Sequence, residues 1–166
     1  MLRVCKVNIN SLLQRLEYLE ACNAINQLIG RYATAADQRN NPQIMHNLFH
    51  EDAIWQAAGF GAYQGRQSIV AGLSEIAREQ ILWSLHVMGV PNLEFSENQQ
   101  QAKVQWVLWE VSTIAGSEAS QNYCLGGFYQ AKARKDSQGI WRFDEVLLNI
   151  ALKYPIAANL YQDNSA

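Results

Sequence analysis

From Ser11 to about Ala36, apolar residues recur at Leu12, Leu13, Leu16, Leu19, Ile25, Leu28, Ile29 and Tyr32, mostly at three- and four-residue steps. That spacing predicts one helix with a single buried face, with Ser11 as its N-cap. Asn40-Asn41-Pro42 interrupts it. Proline lacks the N–H that a first helical turn leaves unpaired anyway, so a short second helix is predicted from Pro42 through Leu48. Ala53-Ile54-Trp55-Gln56-Ala57 predicts a first strand, and Gly59, Gly61 and Gly65 mark a hairpin or bulged loop after it. Gln67 to about Ile81 predicts a third helix, with Ile69, Leu73, Ile76 and Ala77 on one side.

Beyond Leu82 the period changes from helical to strand-like. Leu82–Ser96 is β-rich, with Pro91 at a bend or edge. Ala102, Val104, Trp106 and Leu108 alternate with polar residues, as do Tyr123, Leu125, Gly127, Tyr129 and Ala131, and Trp141, Phe143 and Val146-Leu147-Leu148 follow. Breaks fall at Glu97–Gln101, Gly116–Ser120 and Asp136–Gly139, short enough for antiparallel neighbours. Helices first and strands last is the α+β pattern. Gly126-Gly127 within a strand predicts a bend, and a bent sheet closed by helices makes a cone around a pocket. The expected organisation is an N-terminal extension at 1–10, one domain at 11–155 and a C-terminal tail at 156–166. In that tail, Ile156 to Tyr161 form either a short helix or a strap over the pocket or an interface.

Composition narrows the function classes. The chain of 166 residues is 49% hydrophobic and 17% charged, with a net charge of -2, an ordinary globular balance. It has no basic run for nucleic acid and no apolar stretch of membrane-spanning length. Cys5, Cys22 and Cys124 are scattered and odd in number, which fits reduced thiols in a cytoplasmic protein rather than a zinc site. His46 and His50, four apart, would share one side of a short helix, but no third ligand is evident and no metal is expected. There is no phosphate-binding glycine loop and no nucleophile elbow, so no cofactor is expected.

Five segments, in order, carry a family resemblance: GRYATAAD (Gly30 to Asp37), LFHEDAIW (Leu48 to Trp55), GAYQGRQSI (Gly61 to Ile69), LHV (Leu85 to Val87) and GIWRFDEV (Gly139 to Val146). Over about residues 12–150 the chain resembles the SnoaL-like branch of the nuclear transport factor 2-like superfamily, which includes polyketide cyclases, scytalone dehydratases and bile-acid dehydratases. The resemblance implies a cone-shaped, curved antiparallel or mixed sheet with about three N-terminal helices around an apolar pocket. It also implies a homodimer. The superfamily spans cyclases, dehydratases, isomerases, dehydrochlorinases and non-catalytic proteins, so the fold does not decide the activity.

In catalytic members an acid at the end of the first helix pairs with a strand histidine, and the matching residues here are Asp37 and His86. A carboxylate on one ring nitrogen fixes the tautomer and leaves the other nitrogen as acceptor. Such a base can take a proton next to a carbonyl, beginning aldol closure, β-elimination or isomerisation. Tyr32 matches a family tyrosine that donates to a developing oxyanion, or it only packs, with its hydroxyl at the pocket rim. Glu110 shares a face with Val104, Trp106 and Leu108 in strict alternation. Facing inward it would serve as a general acid, whereas one bulge would turn it to solvent. Trp55, Trp106, Leu108, Tyr123 and Tyr129 are the candidate pocket wall, and Trp109, on the face opposite Trp106, a candidate interface residue. Many relatives carry a basic residue where this chain has Val146, which points to a neutral, apolar ligand or to none; the expected ligand is a small apolar or aromatic molecule. The expected function is that of a cofactor-free lyase or isomerase, a dehydratase or cyclase. The alternative is a non-catalytic ligand-binding protein or a small subunit of a ring-hydroxylating oxygenase.

Overall fold

A computed structural model describes residues 8–157. Residues 1–7, with Cys5, and the tail beyond residue 157 lie outside the described residues. Helix α1 runs Ile9–Asp37 and α2 Pro42–Met45. Strands β1 (Phe49–Ala57) and β2 (Gly61–Gln64) precede helix α3 (Arg66–Glu79). Strands β3 (Ile81–Met88), β4 (Asn92–Phe95), β5 (Gln101–Ile114), β6 (Gln121–Lys135) and β7 (Trp141–Pro155) complete the order. The expected α+β class holds: helices pack on one large curved mixed sheet, ordered β2-β1-β7-β6-β5-β3, with β4 paired to β5. The pairs β3–β5, β5–β6 and β6–β7 are antiparallel, and β1 runs parallel to β7.

Local chemistry moves several predicted boundaries. The N-cap of α1 is Asn8 rather than Ser11: the Asn8 side chain accepts from the backbone N–H groups of Asn10 and Ser11. Asn41 caps α2 in the same way, with Pro42 in its first turn. That helix ends at Met45, so His50 falls on β1, where its Nε2 meets the Arg134 carbonyl, and the two histidines do not share a helix face. Leu82–Ser96 is two strands, because the chain leaves the ladder at Gly89–Pro91.

The buried stripe of α1 begins only at Ala21 and continues through Ile25, Leu28, Ile29 and Tyr32. Leu12, Leu13, Leu16 and Leu19, predicted on the same buried face, are exposed, Leu19 by 62%. On the same stretch of the helix Tyr18 meets Phe95 of β4 edge to face, with ring centroids 5.3 Å apart. The core lies between the C-terminal half of α1, α3 and the concave face of the sheet, and centres on Phe49, Val104, Trp106, Tyr129 and Phe143.

The sheet bends where glycine was expected to bend it. The β6–β7 register shifts between Gly126 and Gly127. A Cβ on Gly127 would stand 2.6 Å from the Asn149 carbonyl oxygen, so only glycine admits that approach.

Candidate active site

The end of α1 sets the first member of the site. Arg39 and Asn40 follow the helix with φ of 59° and 51°, left-handed conformations unusual for non-glycine residues. Side-chain bonds hold the segment there. Arg39 donates to the carbonyls of Leu82 (2.7 Å) and Ala77 (2.8 Å), and Asn40 to that of Leu73 (2.8 Å). The last turn of α1 is thereby pinned to α3 and β3, and Asp37 is delivered to β3.

Asp37 Oδ1 accepts from both the backbone N–H of His86 (3.0 Å) and its ring Nδ1 (2.7 Å). On the other side of the ring, His86 Nε2 lies 3.3 Å from Glu110 Oε2. The β3–β5 register explains the meeting, since His86 pairs directly with Glu110 and Ser84 with Ser112. Directly opposed residues of an antiparallel pair share a face, so four polar side chains form a block on the concave side. The Ser112 hydroxyl, fully buried, donates to Glu110 Oε1. Ser84 Oγ reaches the Ala36 carbonyl at 3.5 Å.

This block opens on a cavity with about 60 Å³ of water-accessible space. His86, Glu110, Ser84, Asn40, Tyr32, Trp55 and Tyr129 line it, and α3 and β7 add the apolar wall, from Leu73 and Ile76 to Leu148 and Ile150. Among the described residues no lysine or arginine lines it, and Val146 is wholly buried.

Tyr32 lies in the wall, not at the rim: it is buried, and Trp55 Nε1 donates to its hydroxyl at 2.8 Å. Burial pushes the Tyr32 hydroxyl up to about 12, against the opposing hydrogen bonds from Trp55 and Tyr129. Burial raises Tyr129 well above the usual phenol value, and the nearby Tyr32 and Glu110 add to this. Both phenols hold their protons at neutral pH.

The structure brings Asp37, His86, Glu110, Tyr32, Trp55 and Tyr129 together. It does not bring Trp106, Leu108 or Tyr123 to the cavity. Trp106 faces inward, but it stacks on Tyr129 (4.7 Å between centroids) and Phe143 (6.1 Å), and its Nε1 donates to Met88 Sδ. Leu108 lies beside it, wholly within the core. Tyr123 sits one pleat beyond Leu125, with the Lys153 ammonium 4.4 Å from its ring centre and its hydroxyl on Gln121.

Sequence reasoning missed Ser84, Ser112 and Asn40. Ser84 and Ser112 were within reach of the period-two rule, each two residues from a candidate on the same strand face. Asn40 had no such signal, because its place depends on the turn after α1. Among the described residues, no group of three or more His, Cys, Asp or Glu side chains is placed to hold a metal ion.

No curated protein matches this chain by sequence. Solved structures match it in fold. The hexachlorocyclohexane dehydrochlorinase LinA type 2 superposes with a TM-score of 0.81 at 17% identity, over 92% of this chain and 99% of that one. The type 3 LinA of Novosphingobium barchaimii gives 0.79 at 18%, over 89% and 98%. A protein assigned as a scytalone dehydratase from Novosphingobium aromaticivorans gives 0.72 at 20%, over 86% and 91%. At such identities these likenesses speak to the fold. The family follows from the sequence itself, for the profile of the SnoaL-like domain matches residues 17–146, and the chain belongs to that family.

Proposed function

We propose that the chain is a cofactor-free lyase or isomerase that removes a proton from a small neutral substrate bearing a carbonyl or hydroxyl group. The observation that carries this reading is the grip of Asp37 on His86, made at both the backbone and the ring and set at the wall of a largely apolar cavity. Asp37 holds the hydrogen on Nδ1 and stabilises the imidazolium that forms when Nε2 takes a proton. The electron pair left behind passes into an enolate or a new double bond, and Tyr32 or Glu110 donates to the oxygen on which charge develops. The lack of a lining cation favours substrates without carboxylate or phosphate. The fold relatives that act as a dehydrochlorinase or are assigned as a dehydratase fit this reaction class.

The test is turnover of ring ketones carrying a β-hydroxyl or β-halide, compared between wild type and His86→Gln. Loss of turnover with an unchanged circular dichroism spectrum supports the assignment. Equal activity in the two proteins would return the chain to the non-catalytic, ligand-binding reading.

A second copy of the chain belongs to the same reading. On the convex face, Val87, Trp109, Gly126 and Leu152 stand in one row across four strands. Gly126 has no side chain, and Trp109 and Leu152 close over it. Trp83, Leu85, Val107, Phe128 and Tyr154 extend this exposed apolar surface. The eight exposed side chains, each with around half its surface open, offer an area of the order of the ~800 Å² per partner of a standard interface. A self-complementary patch of this size suits a two-fold homodimer. The compartment we infer is the cytoplasm, on the free thiols of Cys22 and Cys124.

A further inference from the structure

The geometry points to a single proton held jointly by His86 and Glu110, with Ser112 fixing the carboxylate oxygen that carries it, and to Glu110 as the acid that protonates a leaving hydroxyl. The inference rests on the lyase reading above and names its leaving group.

The argument is a count of hydrogens. Both ring nitrogens of His86 meet carboxylate oxygens: Nδ1 meets Asp37 Oδ1 at 2.7 Å, and Nε2 meets Glu110 Oε2 at 3.3 Å. A nitrogen lone pair and a carboxylate oxygen are both acceptors, and they attract only with a hydrogen between them. Nδ1 therefore carries one hydrogen, and a second belongs to the Nε2–Oε2 contact. Ser112 decides where on Glu110 that hydrogen can sit. Its hydroxyl donates to Oε1, which is left an acceptor, so Oε2 is the oxygen that takes the proton. Glu110 is 5% exposed and Ser112 0%, so bulk water does not compete for these contacts. Ser112 touches no cavity surface, and it acts only through Glu110, as a positioning residue.

A shared proton suits one reaction in particular. With a β-hydroxy ketone in the cavity, the proton settles on Oε2 and frees the Nε2 lone pair. Nε2 takes the hydrogen from the carbon next to the carbonyl. The C–H electron pair forms the carbon–carbon double bond, the C–O bond breaks, and Oε2 gives its proton to the departing oxygen, which leaves as water. What remains is an imidazolium facing a carboxylate: one proton between the same two atoms, as at the start. The site resets without exchanging a proton with solvent. A halide leaves without needing a proton, so its elimination leaves the pair one proton richer, and that proton must then be shed.

The test has one arm that needs no substrate. In the full chain labelled with ¹⁵N-histidine at neutral pH, the Nε2 resonance of His86 in wild type reports a shared hydrogen. In Glu110→Gln the amide N–H donates to Nε2, which moves to the position of a pure acceptor. Ser112→Ala, which removes only the hydroxyl, moves it part of the way, and Ser112→Thr restores the wild-type position. A Nε2 resonance unmoved in both Glu110→Gln and Ser112→Ala would overturn the shared proton, whatever the activity. The second arm compares β-hydroxy and β-chloro ketones on one ring. Glu110→Gln should slow water loss by about 10²–10⁴-fold, the range for one general acid, and chloride loss by less than ~10-fold, while His86→Gln slows both. Equal slowing of both substrates by Glu110→Gln would overturn the leaving-group role and leave the lyase reading standing.

Discussion

Asp37 holds His86 at two points, the backbone N–H and ring Nδ1, with one carboxylate oxygen. A carboxylate bound only to the ring could follow the ring as it turned. One that also binds the backbone fixes the ring relative to the strand. The far side of the ring is therefore presented at a set angle to Glu110 and to the cavity.

Asp37→Asn keeps the shape of this grip and removes its charge. The imidazolium loses its stabilising partner, and the expected loss of turnover is about 10²–10⁴-fold. Circular dichroism and the thermal midpoint should change little. Steady-state rates beside a melting curve separate this outcome from simple unfolding.

Tyr32→Phe removes the acceptor of Trp55 Nε1 at a buried site. An unsatisfied buried donor costs about 1–3 kcal/mol, which a urea titration would read. The same tyrosine sets an alkaline limit. Its hydroxyl is raised by burial to about 12, above the ~10 of an unfolded phenol. Its contribution to stability is fully present below pH ~10 and is lost as pH rises through about 12. Tyrosinate absorbance should show late-titrating phenols in wild type and one fewer in Tyr32→Phe.

Two glycines should respond in opposite directions to alanine. At Gly127 a Cβ meets the Asn149 carbonyl oxygen at 2.6 Å, backbone that cannot give way, and Gly127→Ala should cost about 1–3 kcal/mol. At Gly30, within α1, nothing lies within 4 Å of the added Cβ, and Gly30→Ala should stabilise by about 0.5–1 kcal/mol. Denaturant midpoints of the two variants test both.

Trp109→Lys places a charge at the centre of the convex apolar row. If a second copy covers that row, sedimentation should show a dimer in wild type and a monomer in the variant. A wild-type monomer at high concentration would contradict the dimer.

Much of this arrangement was legible in the sequence because strand faces alternate strictly. Period two put Glu110 on the face of Trp106 and Trp109 on the opposite one, and the structure shows which face is inner, with 5% and 44% exposure for Glu110 and Trp109. The paired glycines foretold the bend at Gly126-Gly127. Periodicity says that a face is apolar but not what covers it, so the N-terminal leucines of α1 read as core and are exposed. Nor does it say how deep along the cone a side chain lies. Trp106 and Leu108 share the face of Glu110 yet end within the packed core. Cross-strand register, which pairs His86 with Glu110 and Ser84 with Ser112, is a property of two strands together and cannot be read from either alone.

Proton removal from carbon by His86 is tested most directly by hydrogen exchange, which needs no leaving group. Cyclic ketones incubated with the protein in D₂O would be followed by NMR at the carbon next to the carbonyl. Wild type should catalyse deuterium uptake, and His86→Gln should lose about 10²–10⁴-fold of that rate with its fold intact. Deuterium uptake at the same rate in His86→Gln would contradict the assignment of His86 as the base.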